Sequence, residues 1–395
     1  METKGKKVKE KRIRYCTRCP QDTTIPGIEF DKKGVCNYCH LHDKMEQMFP
    51  SGKKGENILK KKFEKIKKRN KKRKYDCIVG ISGGRDSTYL LYKLVKDWKL
   101  NPLAVHFNDG FDNPVAGENM IKACEKLNVE LRTITSNWKE AKDLKISFLK
   151  GSTPDLNMGT DVGIATSLYG VAYNEKIKDI IIGQSFRTEG VKPLSWSFLD
   201  GKYLKSVHKK HGEVNLKPWS PGDPGYNLGL KELFFYTVIK RIKTHTPMYY
   251  TDYIRKDAEK IIKKELDWVY PGAHYFDDLY HSLIKYVTRV KFQFDDNLNS
   301  DAALVRSGQM SRKKSLKRAH SVYHIEDEKI INLCLKRLGL KKEEFEEILN
   351  KEPKTFRDYK TSYPYIKAMK IPIWILSKLG LIPKVTYDKY FNCGV

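Results

Sequence analysis

No run of about 18 uninterrupted apolar residues occurs in this 395-residue chain, so no transmembrane helix is expected. The nearest candidate, Ile371-Pro372-Ile373-Trp374-Ile375-Leu376 on to Pro383, is interrupted by Lys378 and bounded by prolines. It reads as a buried helix or a docking surface. Met1 to Arg14 is charged and has no apolar centre, which excludes a secretory signal and gives a cytoplasmic expectation. No lysine stands where a Walker A loop requires one. No Ser–His or Cys–His unit suited to nucleophilic catalysis stands out. There is no internal repeat and no recognisable glutaminase module. Acids are scarce as well, with 48 Asp and Glu against 76 Lys and Arg, a formal net charge of +28. Such a balance invites a nucleic-acid reading.

That charge is unevenly spread. Lys53 to Lys74 holds thirteen basic residues and only two acids, Glu56 and Glu64, and Lys4 to Arg14 is a second basic block. Within the first block Leu59, Phe63 and Ile66 recur at helical spacing, so residues 51–74 read as an amphipathic basic linker helix. Its outer face is either a solvated lysine surface or a polyanion site.

Half of the eight cysteines form one pattern: Cys16-x2-Cys19, sixteen residues, then Cys36-x2-Cys39. Two such knuckles offer four thiolates to a tetrahedral Zn2+ and fold a segment too small to fold alone. Disulfides are disfavoured in a reducing compartment, and an iron–sulfur centre is the other alternative. His40, next to Cys39, could replace one sulfur. Cys77, Cys124, Cys334 and Cys393 stand singly and read as core or surface thiols.

Residues Ser82-Gly83-Gly84-Arg85-Asp86-Ser87 follow an apolar run, Cys77 to Ile81, and precede a helical segment reaching Trp98. Strand, glycine turn and helix in that order direct unpaired N–H groups and a helix dipole at an anion. The glycines admit close approach of the main chain to a phosphate, and Ser82 and Ser87 add hydroxyls. Asp86 opens the helix, where a carboxylate either caps it or helps hold Mg2+. The pattern S-G-G-x-D-S resembles the PP-loop of N-type ATP pyrophosphatases, which cleave ATP to AMP and pyrophosphate.

From Tyr75 strands and helices alternate. Strands are expected at 76–81, 102–107, 129–134 and 179–183, with helices at 86–98, 114–127, 138–150 and 160–175 between them. This alternation argues for a parallel sheet covered on both faces, with ligands at the carboxyl ends of its strands. Ser82–Ser87 and the turn from His106 and Phe107 through Asn108 and Asp109 to Asp112 lie there. The latter turn suits either a ribose or the acceptor. Beyond Pro218 helices rich in Tyr, Lys and Leu are expected at 230–244, 255–268, 281–290 and 326–338. The fold class is therefore α/β: a zinc ribbon (1–50), a parallel-sheet domain (51–217) and a helical carboxyl-terminal region (218–395). After the fourth strand, Gly183 and Ser185 offer donors, Glu189 a carboxylate for a hard cation, and Arg187 and Lys192 a clamp on pyrophosphate.

The ribbon sequence Arg14 to Asp31 and Gly34 to Cys39, the lysine-rich helix, Tyr75 to Gly80 and the PP-loop together resemble the bacterial N-acetyl sugar amidotransferases of surface-polysaccharide biosynthesis. Arg306-Ser307-Gly308-Gln309-Met310-Ser311-Arg312 matches that family's S-G-Q-x-[ST]-R element. Where the family tends to carry a G-G-K-H-H-E-like run, this chain has Pro271 to Asp277, matching at Gly272 and His274. The resemblance implies an adenine nucleotide alpha hydrolase-like domain using ATP, Mg2+ and structural Zn2+ to convert the acetamido group of a UDP-type N-acetyl sugar into an acetamidino group. Ammonia would come from a separate glutaminase subunit through an imidazole-glycerol-phosphate-synthase-like companion, with no specific nucleic acid. Asp86, Arg187 and Lys192 are then the catalytic candidates. Ser82 to Ser87, His106, Phe107, Gly183 and Ser185 would hold ATP, with Asp86 and Glu189 on Mg2+. Asn108, Asp109, Asp161, His274, Gln309 and Arg312 are the substrate candidates. A tRNA-modifying PP-loop enzyme, thiolating or lysidine-forming, is the alternative and accounts better for the charge. The thiolating kind usually needs a reactive cysteine pair or a cluster near the ATP site, and Cys124, Cys334 and Cys393 stand singly.

Overall fold

The computed structural model describes residues 13–271, 278–320 and 328–378, with Tyr387, Tyr390 and Phe391. Its centre is a five-stranded parallel sheet in the order β3-β2-β1-β4-β5. The strands are β1 (Cys77–Gly80), β2 (Pro102–Asn108), β3 (Leu131–Thr135), β4 (Asp179–Ile181) and β5 (Lys243–His245). β1 and β2 are almost wholly buried, which is why they read as continuous apolar runs without alternation. The chain winds outward from β1 to β3, then returns to place β4 on the other side of β1. The loops after β1 and β4 therefore diverge at a topological switch point, where open α/β sheets form a crevice.

Helices cover both faces. Before the sheet come α1 (Asn37–Met48) and α2 (Gly52–Asn70). Within it run α3 (Arg85–Tyr92), α4 (Pro114–Leu127), α5 (Trp138–Lys150), α6 (Met158–Asn174), α7 (Phe186–Glu189), α8 (Gly201–His211) and α9 (Leu230–Phe234). α4 starts where expected, because Asn113 accepts from the Val115 amide and Pro114 sits at the first helical position. α6 approaches the sheet closely through Gly163, where an added Cβ would lie 2.3 Å from the Phe107 ring.

The apolar stripe of α2, Leu59, Phe63 and Ile66, is buried against β1 neighbours and α3. Arg69 donates to the buried Asp179 carboxylate at 2.7 Å, and Asn70 and His245 reach the same group. The basic segment is thus part of the sheet domain, and its lysines face outward.

Two expectations are corrected. The helix expected across 230–244 ends early: α9 passes into a wider turn at 235–239, Arg241 takes φ +56°, and β5 follows. Because β5 extends the sheet beside β4, the sheet domain continues past the boundary expected at 217. Helix α8, capped by Asp200 on the Lys202 amide, was absent from the sequence reading. The remaining helices are α10 (Arg255–Leu266), α11 (Tyr280–Val290), α12 (Asn297–Arg306), α13 (Arg312–His320), α14 (Glu328–Leu338), α15 (Lys342–Asn350), α16 (Tyr363–Ala368) and α17 (Lys370–Lys378). The carboxyl-terminal region is mostly helical, as expected. No helix of the described residues is long and apolar enough to cross a membrane.

Candidate active site and metal centre

Ser82 to Ser87 form the turn between β1 and α3. Gly83 has φ +72°, and a Cβ there would lie 2.0 Å from the Ala116 carbonyl oxygen, so only glycine fits. Trp268 Nε1 donates to the Gly83 carbonyl at 2.9 Å and fixes the turn from outside. Ser87 Oγ accepts from the Ser82 amide at 3.1 Å and lies 3.0 Å from Ser82 Oγ. Gly84 is the N-cap of α3 and has no side chain to cap with. The first amides of α3 are left for an anion.

Asp86 is the second helical residue, not the cap. Its Oδ1 accepts from Arg85 Nε at 3.0 Å and from the Tyr253 hydroxyl. The loop after β4 closes over it: a Cβ on Gly183 would touch Asp86 and Ser87 main-chain atoms at 3.4 Å. Glu189, at the end of α7, accepts from the Ser185 amide at 3.4 Å. Burial and the nearby Asp86 charge push the Glu189 carboxyl up to about 7. Two carboxyls that repel each other beside a phosphate loop fit a divalent cation, which takes oxygen ligands and removes the repulsion. Ser185 Oγ and Ser167 Oγ are buried with no hydrogen-bond partner among the described residues.

Ser82, Gly84 to Ser87, Ser167, Gly183 and Glu189 line one cavity of about 830 Å3, whereas Ser185 lies outside its lining. Its far wall carries Asp112, Asp161, Asp278 and His281. Burial raises the Asp161 carboxyl to about 6, opposed by Lys192. Burial and the Lys192, Lys285 and Lys145 charges lower His281 to about 4, which keeps its ring neutral. His106 contacts the Ile81 carbonyl through Nδ1 (3.1 Å) and Asp112 through Nε2 (2.8 Å). The Phe107 ring also lines the wall. Lys192, half-exposed, pairs with Asp296 at 2.5 Å and is close enough to Glu189 and Asp161 for their charges to raise its own affinity for a proton.

Several expected site residues do other work. Arg187 does not face the phosphate loop. Its guanidinium grips Glu46 of α1 (2.5 and 2.9 Å) and donates to the carbonyls of Tyr249 (2.7 Å) and Phe49 (3.0 Å). Replacing it with methionine is expected to cost about 2 kcal/mol of stability, because partly buried acceptors, Glu46 among them, lose their donor; denaturant unfolding checks this. Asn108 accepts from the Gly110 amide at 2.8 Å and shapes its own turn. Asp109 lines the cavity but is nearly buried, its carboxylate bound to Lys145 at 2.6 Å and to the Thr160 hydroxyl. Gln309 accepts from the Arg255 amide and donates to the Tyr253 carbonyl, both at 3.0 Å, so it holds the loop that presents Tyr253 to Asp86. Arg312 donates to the Cys16 carbonyl (2.7 and 3.2 Å) and pins the ribbon. His274 lies outside the described residues. Asp112 falls in the turn already expected to meet a ligand; Tyr253, Trp268, Asp278 and His281 were missed, and no local pattern marks them.

Cys16, Cys19, Cys36 and Cys39 are buried with all four Sγ atoms within 4.8 Å of one another. The Cys16–Cys39 and Cys19–Cys36 sulfurs lie 3.9 and 3.7 Å apart. Tetrahedral zinc with ~2.3 Å bonds places its sulfurs about 3.8 Å apart, so the cluster fits one metal ion. A cuboidal iron–sulfur cluster holds each thiolate on a separate iron and needs a wider ring. His40 is turned away to Asp31 (3.0 Å) and is not a ligand. Arg306 covers the sulfurs, donating to Cys39 Sγ and Cys19 Sγ at 3.3 Å and to Gln21 Oε1. Gln21 donates to Asn299 (3.2 Å), which donates to the Glu189 carbonyl (2.7 Å). The metal centre therefore stands behind the loop that carries Glu189.

Strand order, glycine turn and crevice define a PP-loop architecture joined to a four-cysteine ribbon and a helical carboxyl-terminal region. Residues 246–371 match the family model for the C-terminal domain of WbpG-like LPS biosynthesis proteins. That match bears out the family resemblance read from the motifs. An uncharacterized protein of Methanocaldococcus jannaschii, MJ1599, is 26% identical over 217 residues, covering 53% of this chain and 75% of that protein. Among solved structures, the U34-tRNA thiolase NcsA from Methanococcus maripaludis with its 4Fe-4S cluster has a TM-score of 0.32 at 16% identity, covering 83% of this chain and 99% of that one. The NH3-dependent NAD synthetase from Campylobacter jejuni also has a TM-score of 0.32, at 15% identity, covering 69% and 99%.

Proposed function

We propose that the protein is the synthetase subunit of an ATP-dependent N-acetyl sugar amidotransferase, acting on a UDP-type sugar for lipopolysaccharide or a related surface glycan. The observation that carries this reading is the pairing of Asp86 with Glu189 over the phosphate loop, in a cavity roomy enough for a second polar substrate. An amide oxygen is a poor leaving group. In the first step it attacks the α-phosphate of ATP, forming a P–O bond as pyrophosphate leaves and giving an O-adenylyl imidate. Ammonia then adds to the imidate carbon, the C–O bond to AMP breaks, and a proton departs to leave the amidine.

The α3 amides, Ser82 and Ser87 hold phosphate oxygens in this scheme, Arg85 on the cavity wall balances charge, and Lys192 would do so by leaving Asp296. Asp86 and Glu189 would hold Mg2+, which neutralises phosphate charge when bound. The far wall (Asp112, Asp161, Asp278, His281) offers acceptors to sugar hydroxyls. Cys16, Cys19, Cys36 and Cys39 would hold structural Zn2+. Ammonia is supplied by a separate glutaminase with an ammonia-conducting companion.

The direct test supplies diacetamido UDP-sugar, ATP, Mg2+ and ammonium, and looks for AMP, pyrophosphate and an amidine by mass spectrometry. Absence of pyrophosphate with every acetamido sugar nucleotide tried, alongside release with a tRNA, would replace this reading with the tRNA one. Against tRNA thiolation, none of Cys77, Cys124 and Cys334 lines the cavity. Burial pushes the last two thiols up to about 12, so they are not thiolates at neutral pH. Binding of tRNA to the α2 lysines is expected to be weak and to fall steeply with added salt.

Pyrophosphate release should also depend on pH. A protonated Glu189 is a poor cation ligand, so at limiting Mg2+ the rate should climb as pH rises through about 7. Glu189→Gln should flatten that limb and lower the rate throughout. A pH profile with the wild-type limb intact in the glutamine variant would remove Glu189 from the cation site.

A further inference from the structure

The segment from Tyr359 to Lys378 contains no acidic residue, and neither does α8. The two lie together: the Lys360 amide donates to Ser206 Oγ, and Lys202 Nζ sits 4.4 Å from the Tyr365 ring centre. Large apolar side chains on this face point to solvent. Tyr365 is 60% exposed, Ile371 69% and Trp374 46%, with Met369 and Ile375 alongside. In α17 Ile371, Trp374 and Ile375 share one helical face, while Ile373 and Ser377 on the other side are the more buried. The apolar stripe of α17 is thus turned outward, the reverse of a helix serving its own core. Exposed Lys367, Lys370 and Lys378 flank it, with Lys205, Lys209 and Lys210 on α8. Of the two readings of this segment, the buried helix is corrected and the docking surface remains.

We infer that the α16–α17 face docks on an anionic phospholipid bilayer. Nine residues of helix reach about 14 Å, far short of a ~30 Å hydrocarbon core, so α17 lies in the interface and does not span it. A tryptophan and isoleucines pointing down with lysines at the flanks is the arrangement an interfacial helix adopts, with ammonium groups rising to the headgroups. The lysines outnumber the acids nearby, exposed Asp358 and buried Asp200, so the face is basic and complements an anionic leaflet. No residue of α16 or α17 lines the cavity, so substitutions on their outer face are not expected to touch it.

The test sediments the full chain with vesicles of phosphatidylcholine alone or mixed equally with phosphatidylglycerol. Roughly tenfold more protein should pellet with the anionic vesicles at low salt, and the difference should shrink as salt is raised. Trp374→Glu and Ile371→Glu should each remove most of this binding while leaving circular dichroism and pyrophosphate release unchanged. A Lys367→Glu, Lys370→Glu pair should do the same. Equal pelleting with neutral vesicles, no pelleting with either, or binding insensitive to these substitutions would overturn the proposal. So would a wild-type dimer that Ile371→Glu converts to a monomer without any vesicle binding, because the face would then be an interface between copies.

Discussion

Asp86→Ala is expected to leave the protein folded and to cut pyrophosphate release a thousandfold or more. The stability cost is small because Asp86 caps nothing: Gly84 is the N-cap of α3. What is lost locally is a carboxylate in the first helical turn, worth about 0.3–1 kcal/mol, and its bonds from Arg85 and Tyr253. The catalytic cost is larger, since misplacing a cation and the phosphates it neutralises removes several kcal/mol of transition-state stabilisation. Tyr253→Phe separates the two contributions. It keeps the carboxylate but frees its orientation, so a loss of roughly tenfold is expected. A variant at Asp86 that melts earlier yet keeps most of its turnover would reduce this residue to a structural role.

Removing a metal from the ribbon should abolish activity although no cysteine among the described residues lines the cavity. Cys16→Ser, or exhaustive chelation, is expected to release about one zinc per chain and to lower the melting temperature sharply, since structural zinc contributes on the order of 10 kcal/mol to the fold of such segments. The effect reaches the site through identified bonds. Without the thiolate cluster Arg306 is a buried cation without its sulfur partners, and the Gln21–Asn299 link behind Glu189 loses its anchor. Arg306→Leu should reproduce much of the activity loss while metal content is retained, as measured by metal analysis alongside pyrophosphate release. A metal-free protein with full turnover would show that the ribbon and the cavity act independently.

What the sequence disclosed and what it hid follow from range. The phosphate loop, the two C-x-x-C knuckles and the buried strands are local patterns, because a strand, a tight turn and a metal knuckle each impose their chemistry within a few residues. The α2 stripe of Leu59, Phe63 and Ile66 was legible for the same reason. β5 was not, since three residues form a strand only because β4 presents an open edge, and Lys243-Thr244-His245 carries no apolar run. Arg187 misled because a basic residue beside a phosphate loop looks like a clamp. Its partners, Glu46, Phe49 and Tyr249, lie up to 141 positions away. Gln309 and Arg312 stand in a recognisable motif, yet they grip main-chain carbonyls. The far wall was half legible: Asp112 and Asp161 were in view, but Asp278 and His281 join them only when the chain before α11 meets the end of β2.

The ribbon has a further consequence for how the chain comes to be made. Its bonds to Arg306 and Arg312 join residues 285 and 296 positions apart. At ribosomal speeds of 5–20 residues per second, the first partner waits roughly 15–60 s for the second. Metal capture needs only residues 16–39, all of them early, so loading comes first and docking long afterwards. During that interval the four sulfurs lack their arginine cover, and an ion held among them would keep them from oxidising. Metal supply during synthesis would then bear on the yield of active molecules.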